Sequence, residues 1–345
     1  MGISPLSLQS AGQLHCCTSI TMAINHVWDS DRILGVAWWG LLSVIASVNI
    51  ATMQRVWRAA ATTAVDRSDR LYCLWMRRLA VCYVAGCALR SFLPRVDVER
   101  ICFVDTFLSS TFVGRSAATV AELAFFAQLS GTTWRLANDL WMVRRRHDGA
   151  RRSRLSAKQV PMTWVHATAG LTMGLILVAE AASWMGVTTT VQIWHGLEES
   201  LWALSIACLF PCWVYLYHAF SSLGVWKAAS LASHLEEGRA ATAALKFVAG
   251  MMVAAPAFVL FMVTTDIPMY LQRWRNNSGH TALGVAEGVV DAMSCAVVDQ
   301  RYSTWVEEMP WMTAYFSICV WWSIWLARAP RVDATARCFD PRKEQ

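Results

Sequence analysis

The stretch IWHGLEESLWALSIACLFPCWVYLY, residues 193–217, decides how this chain is read. It is long and apolar enough to cross the roughly 30 Å hydrocarbon core of a bilayer, which takes about 20 residues of helix. Yet His195, Glu198 and Glu199 stand near its start. A charge at membrane depth costs about 2.5 to 3.5 kcal/mol on insertion scales, so such residues mark sites of use. Spacings of i,i+3 and i,i+4 put His195 on one helix face with both carboxylates. Glu198 and Glu199 project about 100° apart, so one faces a pocket and the other a neighbouring helix. Their repulsion predicts a proton on one of them at neutral pH unless a cation or an arginine lies close.

The rest of the chain repeats the apolar theme. Hydrophobic residues make up 56% and charged residues 16% of the 345 positions, against about 45 to 50% and about 25% in soluble proteins. Seven segments are predicted to span: 33–53, 71–93, 112–134, 162–186, 187–217, 245–270 and 305–326. The fold class expected is therefore all-α, a polytopic membrane bundle of about seven transmembrane helices. Residues 281–298 are apolar but carry Glu287 and Asp291, and read as an interfacial or re-entrant helix before the last span. The domain reading is a non-cytoplasmic segment at 1–32, one transmembrane domain at 33–328 and a cytoplasmic tail at 329–345. No cleavable leader is legible before residue 30, so the first span is expected to direct insertion.

Charge orients the bundle. With seven spans, 18 of the 30 Lys and Arg fall on one side and 6 on the other, and the positive-inside rule then places the N-terminus outside and the C-terminus in the cytoplasm. The basic residues lie in loops rather than on one face, which argues against a nucleic-acid partner. The partners expected are the lipid bilayer and a small ion or a small or lipidic molecule. Asn276, Asn277 and Ser278 form a glycosylation sequon on an outward loop. Cys16, Cys17, Cys102 and Cys295 also fall outside, where an oxidising compartment would let them pair.

Five intramembrane acids are the candidate site: Glu122, Glu180, Glu198, Glu199 and Asp266. A 1.5 Å rise per residue puts all five about 6 to 17 Å below the outer ends of four spans. Trp184, Trp194 and Trp202 are expected to wall the pocket they form. Small residues around Glu122, among them Gly114, Ala117, Ala118 and Ala121, permit close helix approach and predict a central third span. Pro268 removes a helical hydrogen bond and predicts a kink beside Asp266, with the carbonyl of Thr264 set free. Gln128, about two turns deeper than Glu122, extends the polar track. His166 and His218 lie at another depth, so a three-His metal site cannot be assembled, and no metal or cofactor is assigned.

Seven spans with intramembrane acids invite comparison with three kinds of membrane protein. Microbial rhodopsins need a lysine mid-way along the last span, and Lys158, Lys227, Lys246 and Lys343 all lie elsewhere. Ceramidase-like zinc hydrolases need three His at one depth. Membrane terpene cyclases share scattered acids and aromatic walls, with no motif that matches residue by residue. No family is assigned on these grounds.

The leading functional expectation is a proton- or cation-linked transporter or channel, with the five acids as exchange sites and His195 as a relay. It requires a water-accessible path from the outer face. The alternative is an intramembrane enzyme acting on a lipidic substrate by Glu or Asp acid–base chemistry, in an apolar pocket that opens sideways to lipid. A sensor or scaffold, with the acids serving as structural hydrogen-bond partners, is the third reading.

Overall fold

A computed structural model describes residues 11–60, 67–150, 162–231, 236–276 and 282–332. The basic loop from 151 to 161, sequon residues Asn277 and Ser278, the tail from 333 onward and the side chains of Cys16 and Cys17 lie outside what is described. The chain is all-α in character. Five helical stretches are long and apolar enough to cross a bilayer: Ser30–Ala59, Asp69–Phe92, Thr163–Thr189, Ile193–Ser222 and Gly238–Asn276. They fit a multi-pass membrane protein.

In chain order the helices are α1 (Ala11–Ala60), α2 (Arg67–Phe92), α3 (Thr111–Ala150), α4 (Thr163–Thr189), α5 (Ile193–Ser222), α6 (Val225–Leu231), α7 (Glu236–Phe261), α8 (Ile267–Asn276), α9 (Val285–Asp291), α10 (Tyr302–Trp305), α11 (Met309–Ala314) and α12 (Val320–Leu326). Two of the seven predicted spans are not among the five apolar stretches, and each has a physical reason. Helix α3 packs against α2, α4, α5 and α12 and buries Ala118, Ala121, Phe126, Gln128, Thr132 and Thr133. A helix enclosed by protein on most sides has no need of a lipid-facing apolar surface. Its small residues do bring helices close: a Cβ on Gly86 of α2 would lie 2.7 Å from the Ala117 carbonyl oxygen. The last predicted span is broken into α10, α11, a π-turn at Tyr315–Cys319 and α12.

The sixth predicted span is also interrupted. A π-turn at Met262–Asp266 joins α7 to α8, and the Ile267 N–H reaches back to the Met262 carbonyl. This is the deformation that Pro268, one residue further on, demands of the preceding turn.

Beyond one end of the bundle sits a small cap. Strands β1 (Arg95–Val96), β2 (Ile101–Cys102) and β3 (Val297–Val298) form one sheet, antiparallel between β1 and β2 and parallel between β2 and β3. A disulfide joins Cys102 to Cys295, two of the four outward cysteines in the sequence reading. Arg100 ties the cap to the bundle, donating to the Val187 carbonyl at 2.7 Å and pairing with Asp291 at 2.8 Å. Gly288 of α9 lies directly against the Thr188 carbonyl at the end of α4, an approach that only glycine permits. Helix α9 is 7 residues long, about 10 Å, so residues 281–298 cannot span and instead fold into the cap.

At the opposite end a buried ion network closes the bundle. Arg135 of α3 pairs with Asp69 and Asp139, each at 2.7 Å. Asp69 also takes Arg331 at 3.1 Å, and Asp139 accepts the Val332 N–H at 2.8 Å. The chain leaving α12 is thereby held against α2 and α3.

Candidate functional site

The site is organised by a residue the sequence reading did not name. Arg115, one turn into α3, carries a guanidinium whose Nη2 lies 2.6 Å from Glu122 and 3.0 Å from Glu180. Its Nη1 lies 3.2 Å from Glu198. Three carboxylates from α3, α4 and α5 therefore converge on one cation, with ligand oxygens within 4.8 Å of one another. That spacing also suits a metal ion, but the guanidinium already lies between the three, donating to Glu122 and Glu180 and pairing with Glu198. Arg90 of α2 adds a second cation 3.6 Å from Glu122.

Further contacts fix each acid. Thr119, one turn from Arg115 on α3, donates to Glu180 at 2.7 Å and accepts from the Trp184 indole at 3.1 Å. Glu198 meets His195 Nδ1 at 2.7 Å across one turn of α5. The imidazole lies flat against α4: a Cβ on Gly186 would come 3.0 Å from its Cδ2 and Nε2 atoms. His195 and Glu198 are both buried, and Nε2 has no partner among the described residues.

The cap supplies the outer wall of the site. Asp97 pairs with Arg95 at 2.9 Å and lies 4.0 Å from Arg115. Burial alone would push its carboxyl up, but the guanidinium groups of Arg95, Arg90 and Arg115 hold it down at about 2. Burial pushes Glu99 above its ordinary value, although it accepts a hydrogen bond from Gln192 at 2.7 Å. The Arg95 guanidinium occupies the space a Gly114 side chain would fill.

Arg115, Glu122, Glu198 and His195 border one cavity of about 530 Å³, and Glu180 and Thr119 stand behind its wall. Its outer part is lined by Arg90, Arg95, Asp97, Glu99, Arg115 and Glu122, and by His195, Glu198, Glu199 and Asp266. Its inner part is apolar, lined by Phe126, Leu129, Ile206 and Met251. The wall is incomplete between α7 and the π-turn before α12, where the lining residues Phe261 and Ile318 remain 39% and 64% exposed. Below the gap the two helices meet, since a Cβ on Gly250 would lie 2.7 Å from the Trp322 ring. Above it Arg273 of α8 reaches across to Glu307 and Glu308, each at 2.8 Å.

The six acidic and His residues read from the sequence thus divide into two groups. Glu122, Glu180, Glu198 and His195 meet at or beside Arg115. Glu199 and Asp266 line the same cavity on its α5 and α7 side, and form no hydrogen bond or ion pair with another described residue. Of the three expected wall tryptophans, Trp202 lines the cavity, whereas Trp184 supports it through Thr119 and Trp194 lies outside the lining. Gln128 does not continue a polar track. Its amide donates to the Met76 and Ser323 carbonyls at 3.0 and 3.3 Å, which ties α2, α3 and α12 together.

Comparison with known proteins finds no match to a family, to a curated protein or to a solved structure. Among the unforeseen residues, Arg115 had a sequence signal. Arg115, Thr119 and Glu122 are spaced i, i+4 and i+7, one face of one helix. Arg90, Arg95, Asp97, Arg273 and Glu308 lie at segment ends, where only the packing of the cap tells a paired charge from a solvated one.

Proposed function

We propose that this protein is a membrane enzyme that draws an amphiphilic, lipid-derived molecule from the bilayer and carries out acid–base chemistry on its polar end. The cavity carries this reading, with its ionic outer half, its apolar inner half and its gap toward the side of the bundle. In an enzyme of this kind Glu198 and His195 exchange the proton, since imidazole and carboxylate are in direct contact and both residues line the cavity. Arg115 holds Glu198 in place and offers a positive field to charge that develops nearby. Phe126, Leu129, Ile206 and Met251 take the chain of the substrate.

The topology that suits this reading has seven spans, with α3 and the segment from α10 to α12 as the two added to the five apolar stretches. One transmembrane domain then covers 33–328. The N-terminus lies outside and the C-terminus in the cytoplasm. The Cys102–Cys295 disulfide favours this orientation, because cytosolic thiols stay reduced.

A proton- or cation-linked carrier is the second reading, and Glu199 and Asp266, without partners among the described residues, favour it. Against it stand the arginine that satisfies three of the five acids and the apolar floor beneath them. Neither leaves a polar route toward the basic end.

The test is to reconstitute the protein in nanodiscs, add a total membrane lipid extract and follow individual lipids by mass spectrometry. The enzyme reading expects one lipid class to be consumed by the wild type, and consumed at least about a hundredfold more slowly by Glu198→Gln, in line with the usual contribution of a general acid–base. An unchanged lipid profile together with proton or cation flux in sealed vesicles would replace it with the carrier.

A further inference from the structure

We infer that this chamber selects its ligand by chain length: it encloses an unbranched apolar chain of about eight to ten carbons, and Trp213 and Phe247 set that limit. The inference rests on reading the cavity as an amphiphile chamber, and it names the class of chain that the chamber takes. Three walls give the same depth. Leu129 lies seven residues past Glu122 on α3, Ile206 eight past Glu198 on α5, and Trp322 seven past Tyr315, whose hydroxyl donates to Glu122 at 3.5 Å. At 1.5 Å per residue these deepest lining residues stand about 10 to 12 Å below the acids. An extended chain with bonds of about 1.5 Å advances about 1.25 Å per carbon, so this depth takes about eight to ten. One leaflet offers about 15 Å. The chamber is therefore too shallow for the long tails of bulk membrane lipid.

Beyond that level the helices close on one another. The positions one or two turns further along the same faces, Thr133 on α3, Leu209 and Trp213 on α5 and Phe247 on α7, lie outside the lining and are fully buried. Trp213 is pinned by two hydrogen bonds in series. Its indole N–H donates to the Thr133 hydroxyl at 2.9 Å, and that hydroxyl donates to the Leu129 carbonyl at 2.8 Å. Phe247 meets the Trp213 ring edge to face, with centroids 6.1 Å apart, and packs with Trp322 and Trp325 at 6.4 and 6.3 Å.

Helix α7 draws the same boundary along one stripe. Phe258, Ala255, Ala254 and Met251 all line the chamber, and the two alanines leave its lumen open between the larger side chains. Phe247 is next on that stripe, and there the helix turns from wall to plug. The lateral gap gives no second exit at this depth. It lies at Phe261 and Ile318, and one turn below Ile318 the Trp322 ring closes on Gly250. A chain that fills the inner chamber has already passed the gap, so further carbons must displace Trp213 or Phe247. Filled aromatic packing admits extra methylenes only with strain.

The experiment is equilibrium binding of straight-chain primary alcohols, from six to sixteen carbons, to the protein in phosphatidylcholine nanodiscs. Uptake by empty discs is subtracted, and each affinity is expressed relative to partition into those discs. The inference expects a break: relative affinity holds level up to about ten carbons and is at least tenfold lower at fourteen. Phe247→Ala, checked for a monodisperse profile, should carry the break to longer chains by about two carbons or more. Ile206→Phe, which fills the chamber from within, should bring it to shorter ones. Relative affinity with no such break through sixteen carbons means that tails leave by the gap, and it overturns the length limit while the chamber reading stands. A break that both variants leave in place overturns the assignment of the floor. No binding of any alcohol above empty discs overturns both the limit and the chamber. The wild-type series decides the limit even if a variant fails to fold.

Discussion

His195 Nδ1 lies 2.7 Å from Glu198 Oε2, one helical turn away on α5, while the other oxygen of the same carboxylate meets Arg115 at 3.2 Å. A single carboxylate thus joins the ionic cluster to the His195 imidazole on the cavity wall. Under the enzyme reading, His195→Asn is expected to slow turnover at least about a hundredfold. Asparagine keeps a polar group near Nδ1, so thermal unfolding in detergent should move little. A fall in stability as large as the fall in turnover would assign His195 a structural role.

Arg115 is a test of stability. Replacing it with Met leaves Glu122, Glu180 and Glu198 facing one another in a buried site, and loss of one partner from such a network typically costs about 3 to 5 kcal/mol. Arg115→Met is expected to lower the unfolding temperature sharply. Lysine, which keeps the charge but loses the fork, should recover part of the difference. Stability indistinguishable from wild type would mean that the three acids are satisfied without it.

Gly186 separates position from chemistry. A Cβ there would sit 3.0 Å from two ring atoms of His195, tighter than ordinary contact, so the imidazole must move by a few tenths of an ångström. Gly186→Ala should therefore cut turnover at least tenfold while leaving unfolding nearly unchanged. An active Gly186→Ala enzyme would show that the His195 placement is not demanding.

Two cap carboxylates predict opposite responses to acid. Asp97 is held at about 2 in the folded protein, below its unfolded value of about 3.9. The stability it contributes is therefore complete above about pH 4 and lost as the pH falls from there toward about 2. Glu99 is raised in the folded protein, so it favours the folded state once protonated and opposes it when charged. Thermal unfolding followed against pH should show Asp97→Asn less stable near neutrality with a flatter acid limb, and Glu99→Gln more stable near pH 7. A Glu99→Gln variant that is destabilised at neutral pH would contradict the assignment.

Orientation can be read chemically. In microsomes Asn276 should acquire glycan, detected as an endoglycosidase-sensitive shift, and Asn276→Gln should abolish it. The Cys102–Cys295 bridge should protect both thiols from alkylation until a reductant is added. Glycan on a sequon engineered into the 151–161 loop would invert the topology.

Much was legible before any coordinates. Long apolar runs broken by arginine-rich loops dictate a helical membrane protein, because the bilayer admits only segments that satisfy their own backbone hydrogen bonds. The i,i+3 spacing of His195 and Glu198 forced their contact, and Pro268 foretold the broken turn beside Asp266. These are properties of single helices, set by a period of 3.6 residues and by local sterics. What only the tertiary structure decided is which charges meet. Arg115 stands between carboxylates from three helices, Glu199 and Asp266 have no partner among the described residues, and Gln128 serves as a brace rather than a conduit. Helix rotation, helix crossing and the disulfide-tied cap set those pairings, and they depend on side chains up to 195 residues apart. Spacing along one helix carries no information about its neighbours, so the sequence could name the acids but not the cation that holds them.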